Sequence, residues 1–221
     1  MGITILFAVF ALLLLMGVPV AYALAAAALA TLWYLDLPTV VLVQQISAGT
    51  GSASLIAIPL FIFAGEIMMR GGISERLIGL ASSLVGRLRG GLGQVSILSS
   101  LFFGGVSGSA IADVSAVGGT MIPQMVKRGY DRDFAVNVSI TAALVALLVP
   151  PSHNLILFSA AAGGGLSIAD LFAAGIVPAL LMTVALMVTG YAVARKRGYG
   201  VEIFPGWRAV LLRMVSALPG L

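Results

Sequence analysis

The sequence predicts an all-α integral membrane protein, a polytopic helical bundle with a re-entrant hairpin and a broken helix. This prediction rests on the composition, on the spacing of the basic clusters and on two interrupted apolar stretches. Hydrophobic residues fill 60% of the 221 positions and charged residues 9%, and the mean hydropathy is +1.13. A soluble domain carries about 25% charged residues. Most of the surface of this chain must therefore face lipid.

The composition also excludes several kinds of function. The chain has no cysteine and a single histidine, His153, which leaves no cysteine metal site and no zinc site with two histidines. No nucleophile is paired with a base in a recognisable motif, and we expect neither an enzyme nor a bound organic cofactor. The net charge of +4 is typical of basic residues at the cytoplasmic ends of membrane segments, rather than of a nucleic-acid-binding protein.

Three basic clusters set the predicted topology. Positively charged residues concentrate in cytoplasmic segments of membrane proteins, so the chain between two clusters crosses the membrane an even number of times or enters it and returns. The clusters are Arg70, Arg76, Arg87 and Arg89; Lys127, Arg128 and Arg132; and Arg195, Lys196, Arg197, Arg208 and Arg213.

The first of these intervals predicts the hairpin. It contains 37 residues, from 90 to 126, whereas two full spans need about 40 apolar residues and a turn. Its middle, Gly104–Asp113, is polar and rich in glycine. This composition favours two half-helices whose tip stops inside the membrane, where irregular backbone must be buried in protein or line a wet cavity. Two short complete spans with an outer loop are the alternative.

The next interval predicts a broken helix followed by a further span. The span from Phe134 to about Ala162 contains Pro150 and Pro151, which interrupt a helix because proline lacks a backbone N–H. Ser152 is the expected N-cap of the restarted helix. A loop at residues 163–165 precedes a span that begins at Ser167 and reaches about Ala194.

The first 90 residues predict spans and a surface helix. Met1–Leu35 is either one long helix or two short spans divided at Gly17–Pro19, and residues 36–52 form a more polar connector. Ala53–Met69 is a further span, and Ile73–Leu88 has the spacing of an interfacial amphipathic helix.

The two helix interruptions are the candidate functional positions. Broken helices expose carbonyl groups that coordinate Na⁺ and N–H groups that attract carboxylates. Ser107, Ser109 and Ser152 add hydroxyl oxygens, and the two breaks could meet in one site. Close packing of small residues is the alternative function of Gly104–Asp113.

Two acidic residues allow more than one interpretation. Asp113 is an ionisable residue within an apolar stretch and is a functional residue, the N-cap of the returning half-helix, or both. Glu66, four residues before Arg70, fits an i,i+4 ion pair better than a proton relay.

Short motifs along nearly the whole chain resemble the large membrane subunit of the tripartite ATP-independent periplasmic (TRAP) transporters. They lie in family order, and the chain resembles the N-terminal half of that subunit. The matching stretches are Ile58–Gly65, Gly71–Ile73, Phe102–Ala110, Met121–Pro123, Gly129–Tyr130, Pro150–Ser152, Ala194–Lys196 and Gly198–Tyr199.

The resemblance implies one half of an inverted-repeat, elevator-type Na⁺ symporter for small organic acids such as C4-dicarboxylates or sugar acids. It also implies a multi-pass protein of the bacterial inner membrane, with a small membrane subunit and a periplasmic substrate-binding protein as partners. The cation site would contain Ser107, Gly108, Ser109, Pro150, Pro151 and Ser152. The substrate-binding candidates are Ser109, Asp113, His153 and Asn154, the last two standing where the family more often has an aliphatic residue.

The same resemblance suggests three regions. Residues 1–90 would form scaffold-type spans and an interfacial arm helix, residues 91–165 the transport-type hairpin and broken helix, and residues 166–221 a further span and a basic connector, whose end resembles a truncation. A membrane scaffold or assembly subunit without its own cation site is the alternative function.

Overall fold

The computed structural model describes residues 1–51, 53–162, 165–201 and 206–217, and within these ranges the secondary structure is helical, without strands. The chain divides into two compact units, Met1–Ala53 and Ser54–Leu221. The three-region division expected from the sequence differs from this one and stays a prediction. The helices are α1 Gly2–Leu15, α2 Val20–Tyr34, α3 Val40–Thr50, α4 Ala53–Arg70, α5 Ile73–Val85, α6 Gly91–Ser107, α7 Ala110–Asp113, α8 Gly119–Lys127, α9 Arg132–Ala143, α10 His153–Ala161, α11 Ile168–Lys196 and α12 Trp207–Ala217.

The first unit resolves the ambiguity of the N-terminal stretch in favour of two helices. The chain turns between α1 and α2 at Gly17, whose φ of +80° suits glycine, and Pro19 is the N-cap of α2. Gly2 lies against the side chain of Leu35, so the two helices are antiparallel. The expected polar connector at residues 36–52 is not a simple loop, because it contains α3.

The core of the second unit forms around α6. This helix packs against α5, α9 and α11, and its small residues allow close approach. Phe103, Ile97, Met121 and Met125 are fully buried in this core.

The hairpin consists of α6, a two-residue turn and a returning helical run. Gly108 and Ser109 form the turn, and the run continues from Ala110 to Lys127 through a π-helical turn at Val114–Gly118. The two arms are joined without an extended loop, and a re-entrant position of this hairpin in the membrane stays a prediction. Each arm measures about 25–27 Å at 1.5 Å per residue, slightly less than a hydrocarbon core of about 30 Å.

The predicted helix break is confirmed. After α9, a 3₁₀ turn at Val145–Leu147 leads into an irregular segment that contains Pro150 and Pro151. The helix restarts as α10, and the hydroxyl of its N-cap, Ser152, accepts a hydrogen bond from the backbone N–H of Leu155. The loop expected at residues 163–165 lies largely outside the described residues.

The long helix α11 also begins where the sequence predicted. Ser167 Oγ accepts a hydrogen bond from the N–H of Asp170, 3.3 Å away, and the helix runs 29 residues. It is long and apolar enough to cross a membrane, with a mean hydropathy of 2.4 in its most apolar window, and it alone meets this criterion among the described residues. α1, α2 and α6 and most of α3 are shorter apolar segments.

The amphipathic segment forms α5, but its apolar stripe faces protein. Ile73, Leu77 and Leu80 are buried because α5 packs between α6 and the C-terminal helix α12. Leu84 and Leu88, which the sequence placed on the same stripe, are partly exposed. An interfacial position of α5 stays a prediction.

Candidate functional site

The tip of the hairpin lies directly on the break of the second helix. Gly108 has a φ of +56°, and a Cβ atom at this position would clash with the carbonyl oxygen of Pro151 and lie 3.0 Å from the Cα of Ser152. Only glycine permits this contact of two backbone segments. The two interruptions that the sequence singled out therefore come together in one place.

Further contacts hold the break against its neighbours. A Cβ at Gly104 would be 2.8 Å from the Cα of Ala146, and a Cβ at Gly105 would be 3.7 Å from the carbonyl oxygen of Pro150. On the other side, a Cβ at Gly175 of α11 would be 2.5 Å from the carbonyl oxygen of Leu148. The small residues of α6 thus also serve packing, as the alternative interpretation expected.

Serine hydroxyls surround the contact between tip and break. Ser107 is 7% exposed, and its Oγ accepts a long hydrogen bond, 3.4 Å, from the N–H of Ser109. Ser109 caps α7 through a hydrogen bond from the N–H of Ala112. Ser152 is fully buried, and its hydroxyl donates to the carbonyl oxygen of Leu147. The region is rich in neutral oxygen atoms.

A cavity of about 240 Å³ opens beside these serines, within the second unit. Its walls come from α4, from the hairpin tip and from the start of α10. Polar side chains on the walls are Ser107, Ser109, His153 and Glu66, and apolar residues of α4 provide much of the remainder. Gly65 allows α4 to approach the tip, because a Cβ there would be 3.1 Å from the carbonyl oxygen of Val106.

The structure separates the four substrate-binding candidates. Ser109 and His153 line the cavity. Asn154 is exposed and does not line it. Asp113 is 1% exposed and lies deeper in the hairpin, where its Oδ2 accepts a 2.7 Å hydrogen bond from Ser100 Oγ. A role for each in binding substrate stays a prediction.

Two expectations about acidic residues are settled by geometry. Asp113 lies inside the returning helical run, and the cap is Ser109, so the interpretation of Asp113 as the N-cap is wrong. Glu66 Oε1 accepts a 2.9 Å hydrogen bond from Arg70 Nε, which confirms the i,i+4 ion pair. Glu66 also reaches the cavity wall, which the sequence did not indicate.

A second polar cluster, which sequence reasoning missed, lies at the opposite end of the hairpin. Arg197, just after α11, donates hydrogen bonds to Asp131 and Asp133 at the start of α9. The Tyr199 hydroxyl donates to Asp131 Oδ2 at 2.8 Å. The ring of Tyr199 packs against the ring of Tyr130 at a tilt of 32°, with centroids 4.3 Å apart. These five residues are called the base cluster below.

The base cluster has a marked electrostatic character. The Arg197 guanidinium, through its hydrogen bonds, and the N–H of Phe134 hold the pKa of Asp133 below its usual value. Hydrogen bonds to Asp133, Tyr199 and Asp131 raise the pKa of Arg197 in turn. The spacing of Arg197 and Tyr199 from the two aspartates, more than 60 residues, left no local signal in the sequence.

The chemistry available at the tip is coordination and hydrogen bonding. Carbonyl and hydroxyl oxygens suit a hard cation, and the first-turn N–H groups of α7 and α10 suit an anionic oxygen. A helical protein with two interrupted helices that meet beside a cavity has the features of a membrane transporter.

Comparison with known proteins agrees with this class. The family model described as "Tripartite ATP-independent periplasmic transporter, DctM component" matches residues 7–221. The chain belongs to this family of membrane-embedded large permease subunits.

Three relatives illustrate the match. The chain is 35% identical over 223 residues to the C4-dicarboxylate TRAP transporter large permease protein of Vibrio cholerae, covering 100% of this chain and 49% of the relative. It is 39% identical to the sialic acid TRAP transporter large permease protein of the same species, covering 85% and 44%. It is 40% identical to the 2,3-diketo-L-gulonate TRAP transporter large permease protein of Escherichia coli, covering 78% and 40%. The chain spans about half the length of these relatives, or slightly less.

Proposed function

We propose that this chain supplies the N-terminal half of a Na⁺-coupled symporter for small organic acids. The full permease would lie in the bacterial inner membrane as a multi-pass protein. It would work with a small membrane subunit and a periplasmic substrate-binding protein. Family membership supports this proposal, and so do the names of three relatives, each of which refers to an organic acid.

The observation that carries the Na⁺ site is the contact of Gly108 with Pro151. It brings the carbonyl oxygen of Pro151 against Gly108, which lies between Ser107 and Ser109, and Ser152 directly follows Pro151. Within the described residues, no backbone N–H donates to the carbonyl oxygens of Pro150 and Pro151. Several neutral oxygens in a small volume can replace the hydration shell of an alkali cation.

The transport movement is part of the same proposal. The two-residue turn of the hairpin and its arms of about 25 Å suit a re-entrant element whose tip stays within the membrane. A second, inverted half of the permease would face this tip. An elevator movement would carry the hairpin and the broken helix across the membrane together.

Restoring the broken helix tests the cation site. In the full-length protein that carries this segment, replacement of Pro150 and Pro151 together by alanine should let the helix continue from α9 into α10. Proline costs about 3 kcal/mol relative to alanine in a helix interior, so thermal stability should be equal or higher. The new helix pairs the free carbonyl groups, and Na⁺ should no longer raise the melting temperature as a bound ligand does.

The measurement compares melting curves in Na⁺ and in choline for wild type and the double variant. Pro178→Ala is the matched control, because Pro178 lies within α11 and its side chain is exposed; it should keep the full Na⁺ shift. If wild type shows no Na⁺-specific shift, or the double variant retains it, the tip and break do not bind the cation. A scaffold or assembly subunit would then be the better description.

A labelling experiment tests the proposed orientation. The native chain has no cysteine, so single cysteines at Glu75, Lys127 and Lys196 give a clean background. All three residues are exposed and lie beside the basic clusters. On intact cells, we expect an impermeant thiol reagent to label none of them. Labelling at Lys127 alone would contradict the re-entrant hairpin, because it requires an odd number of crossings on either side.

A further inference from the structure

The short helix α12 has two unlike faces, and one of them packs on α5. Val210 and Ala217, which lie two turns apart, are buried where the two helices meet. Beside them, Arg213 Nη1 donates a hydrogen bond to the carbonyl oxygen of Gly79 in α5, 3.1 Å away. These contacts fix which side of α12 faces the protein.

The other face of α12 is apolar and exposed. Its large side chains cover an arc of about 160° around the helix, and the residues are 46% to 71% exposed. They are Trp207, Leu211, Leu212, Met214 and Val215. Residues three and four positions apart are neighbours on a helix surface, so these side chains form a continuous apolar strip. A strip of this kind marks an interaction surface rather than a surface that faces water.

The length of α12 excludes a transmembrane position for the strip. The helix has 11 residues and measures about 16 Å, whereas a bilayer core is about 30 Å thick. A short helix with one apolar side and arginine side chains lies flat in the membrane interface, where its apolar side enters the upper part of the acyl chains. Trp207 at the start of the helix is a residue typical of that depth.

The charge near the strip favours acidic headgroups. The segment Trp207–Ala217 contains two arginines and no acidic residue. Arg208 is exposed and lies three and four positions before the two leucines of the strip, so its long side chain can follow the apolar surface and place its guanidinium among the headgroups. On the neighbouring α5, Glu75 and Arg76 are both exposed, and their charges balance.

We propose that α12 is a docking surface for acidic phospholipids of the leaflet on which it lies. The apolar strip would pack among their acyl chains, and Arg208 would bind a phosphate group at the surface. The proposal needs the chain to be membrane-embedded, as its family is. It does not depend on the coupling cation or on the transported acid.

Quenching by brominated phospholipids tests the position of the strip. The full-length protein that carries this segment is prepared without other cysteines, labelled with a small fluorophore at Leu211→Cys, and reconstituted in vesicles of equal amounts of phosphatidylglycerol and phosphatidylcholine. Bromine on the upper acyl chains of both lipids should quench this label at least about twofold more than a label at Ser216→Cys. Ser216 is the matched control, because it is exposed on the same helix but points about 140° away from Leu211.

Placing bromine on one lipid at a time tests the selection of charge. In the same mixed vesicles, brominated phosphatidylglycerol should quench the Leu211→Cys label about two- to fivefold more than brominated phosphatidylcholine, the enrichment that one arginine near an anionic surface can produce. Arg208→Gln should bring this ratio close to one, and Arg208→Lys should preserve it. A solution of 1 M choline chloride should also reduce the ratio, since salt screens the attraction.

Each outcome has a definite meaning. Equal quenching at Leu211→Cys and Ser216→Cys would show that another part of the permease or water covers the strip, and would overturn the proposal. A ratio close to one in the protein with Arg208 intact, or a ratio that Arg208→Gln leaves unchanged, would overturn the selection of acidic lipids by this arginine. All variants must keep the melting temperature of the labelled parent protein, so that a change in quenching reports lipid contact and not unfolding.

Discussion

The two ends of the hairpin are held to their neighbours by opposite means. At the tip, glycine brings backbone against backbone, and the serine hydroxyls make hydrogen bonds of 3.4–3.5 Å to backbone N–H groups. At the base cluster, charged groups are joined by shorter hydrogen bonds, 2.7 Å between Arg197 and Asp131 and 2.8 Å between Tyr199 and Asp131. Charge-assisted bonds are both shorter and stronger than neutral ones.

This difference follows from what each end must do. Charged groups in the base cluster keep part of their hydration because their side chains are exposed to solvent. Their ion pairs join the turn before α9 to the end of α11. If the tip lies within the membrane, as proposed, charge there would carry a large desolvation cost. The neutral oxygens at the tip avoid this cost.

The largest expected effect comes from a methyl group at the tip. Gly108→Ala forces a side chain into a left-handed backbone conformation and against the Pro151 carbonyl. The combined strain and overpacking should cost about 3 kcal/mol or more of unfolding free energy and abolish the Na⁺ shift. Gly105→Ala is the matched control, because its Cβ would meet only ordinary contacts at 3.7 and 3.8 Å. Equal melting temperatures for the two variants would mean that tip and break are not in contact.

A moderate effect is expected midway along the hairpin. Ser100→Ala removes the 2.7 Å hydrogen bond to the buried carboxyl group of Asp113 and should cost about 1–3 kcal/mol. Ser99→Ala provides the comparison, since the Ser99 hydroxyl is buried without a hydrogen-bond partner in the described part of the chain. Its replacement should be neutral or stabilising. Thermal unfolding of both variants measures the difference in stability. A larger loss of unfolding free energy in Ser99→Ala would contradict a stabilising role for the Ser100–Asp113 hydrogen bond between the arms.

A smaller effect is expected at the base cluster. Arg197→Lys keeps the charge but loses the planar fork that donates to Asp131 and Asp133 together. The decrease in melting temperature should be less than that of Ser100→Ala, because these groups are exposed and salt screens them. Addition of 1 M choline chloride to both proteins should shrink the difference between their melting temperatures. If Arg197→Lys lowered the melting temperature as much as Gly108→Ala, the base cluster and the tip would not differ in their contribution to stability.

The smallest effect is a dependence on pH. The folded-state pKa of Asp133 is lowered from 3.8, so its contribution to stability is present at neutral pH and is lost as pH falls below that value toward the lower folded-state pKa. Melting temperatures of wild type between pH 6 and pH 3 should decrease more than those of Asp133→Asn. Parallel curves for the two proteins would show that the ion pair with Arg197 contributes nothing in solution.

Much of this architecture could be predicted from local sequence patterns. Proline lacks an N–H wherever it occurs, so Pro150 and Pro151 predicted the break, and Ser152 and Ser167 predicted the helix starts that follow. The Gly104–Asp113 composition predicted an interruption. The N-terminal stretch remained ambiguous because glycine and proline allow a turn without requiring one.

The sequence by itself therefore determined most of the helices, the two main interruptions and the membrane environment, since these depend on residues close together in the chain. Only the tertiary structure decided that Gly108 meets Pro151, that His153 and not Asn154 faces the cavity, and that Asp113 lies inside the hairpin. The physical reason is that such contacts join residues tens of positions apart. Their partners are chosen by helix packing and by side-chain direction around each helix, which no local pattern specifies.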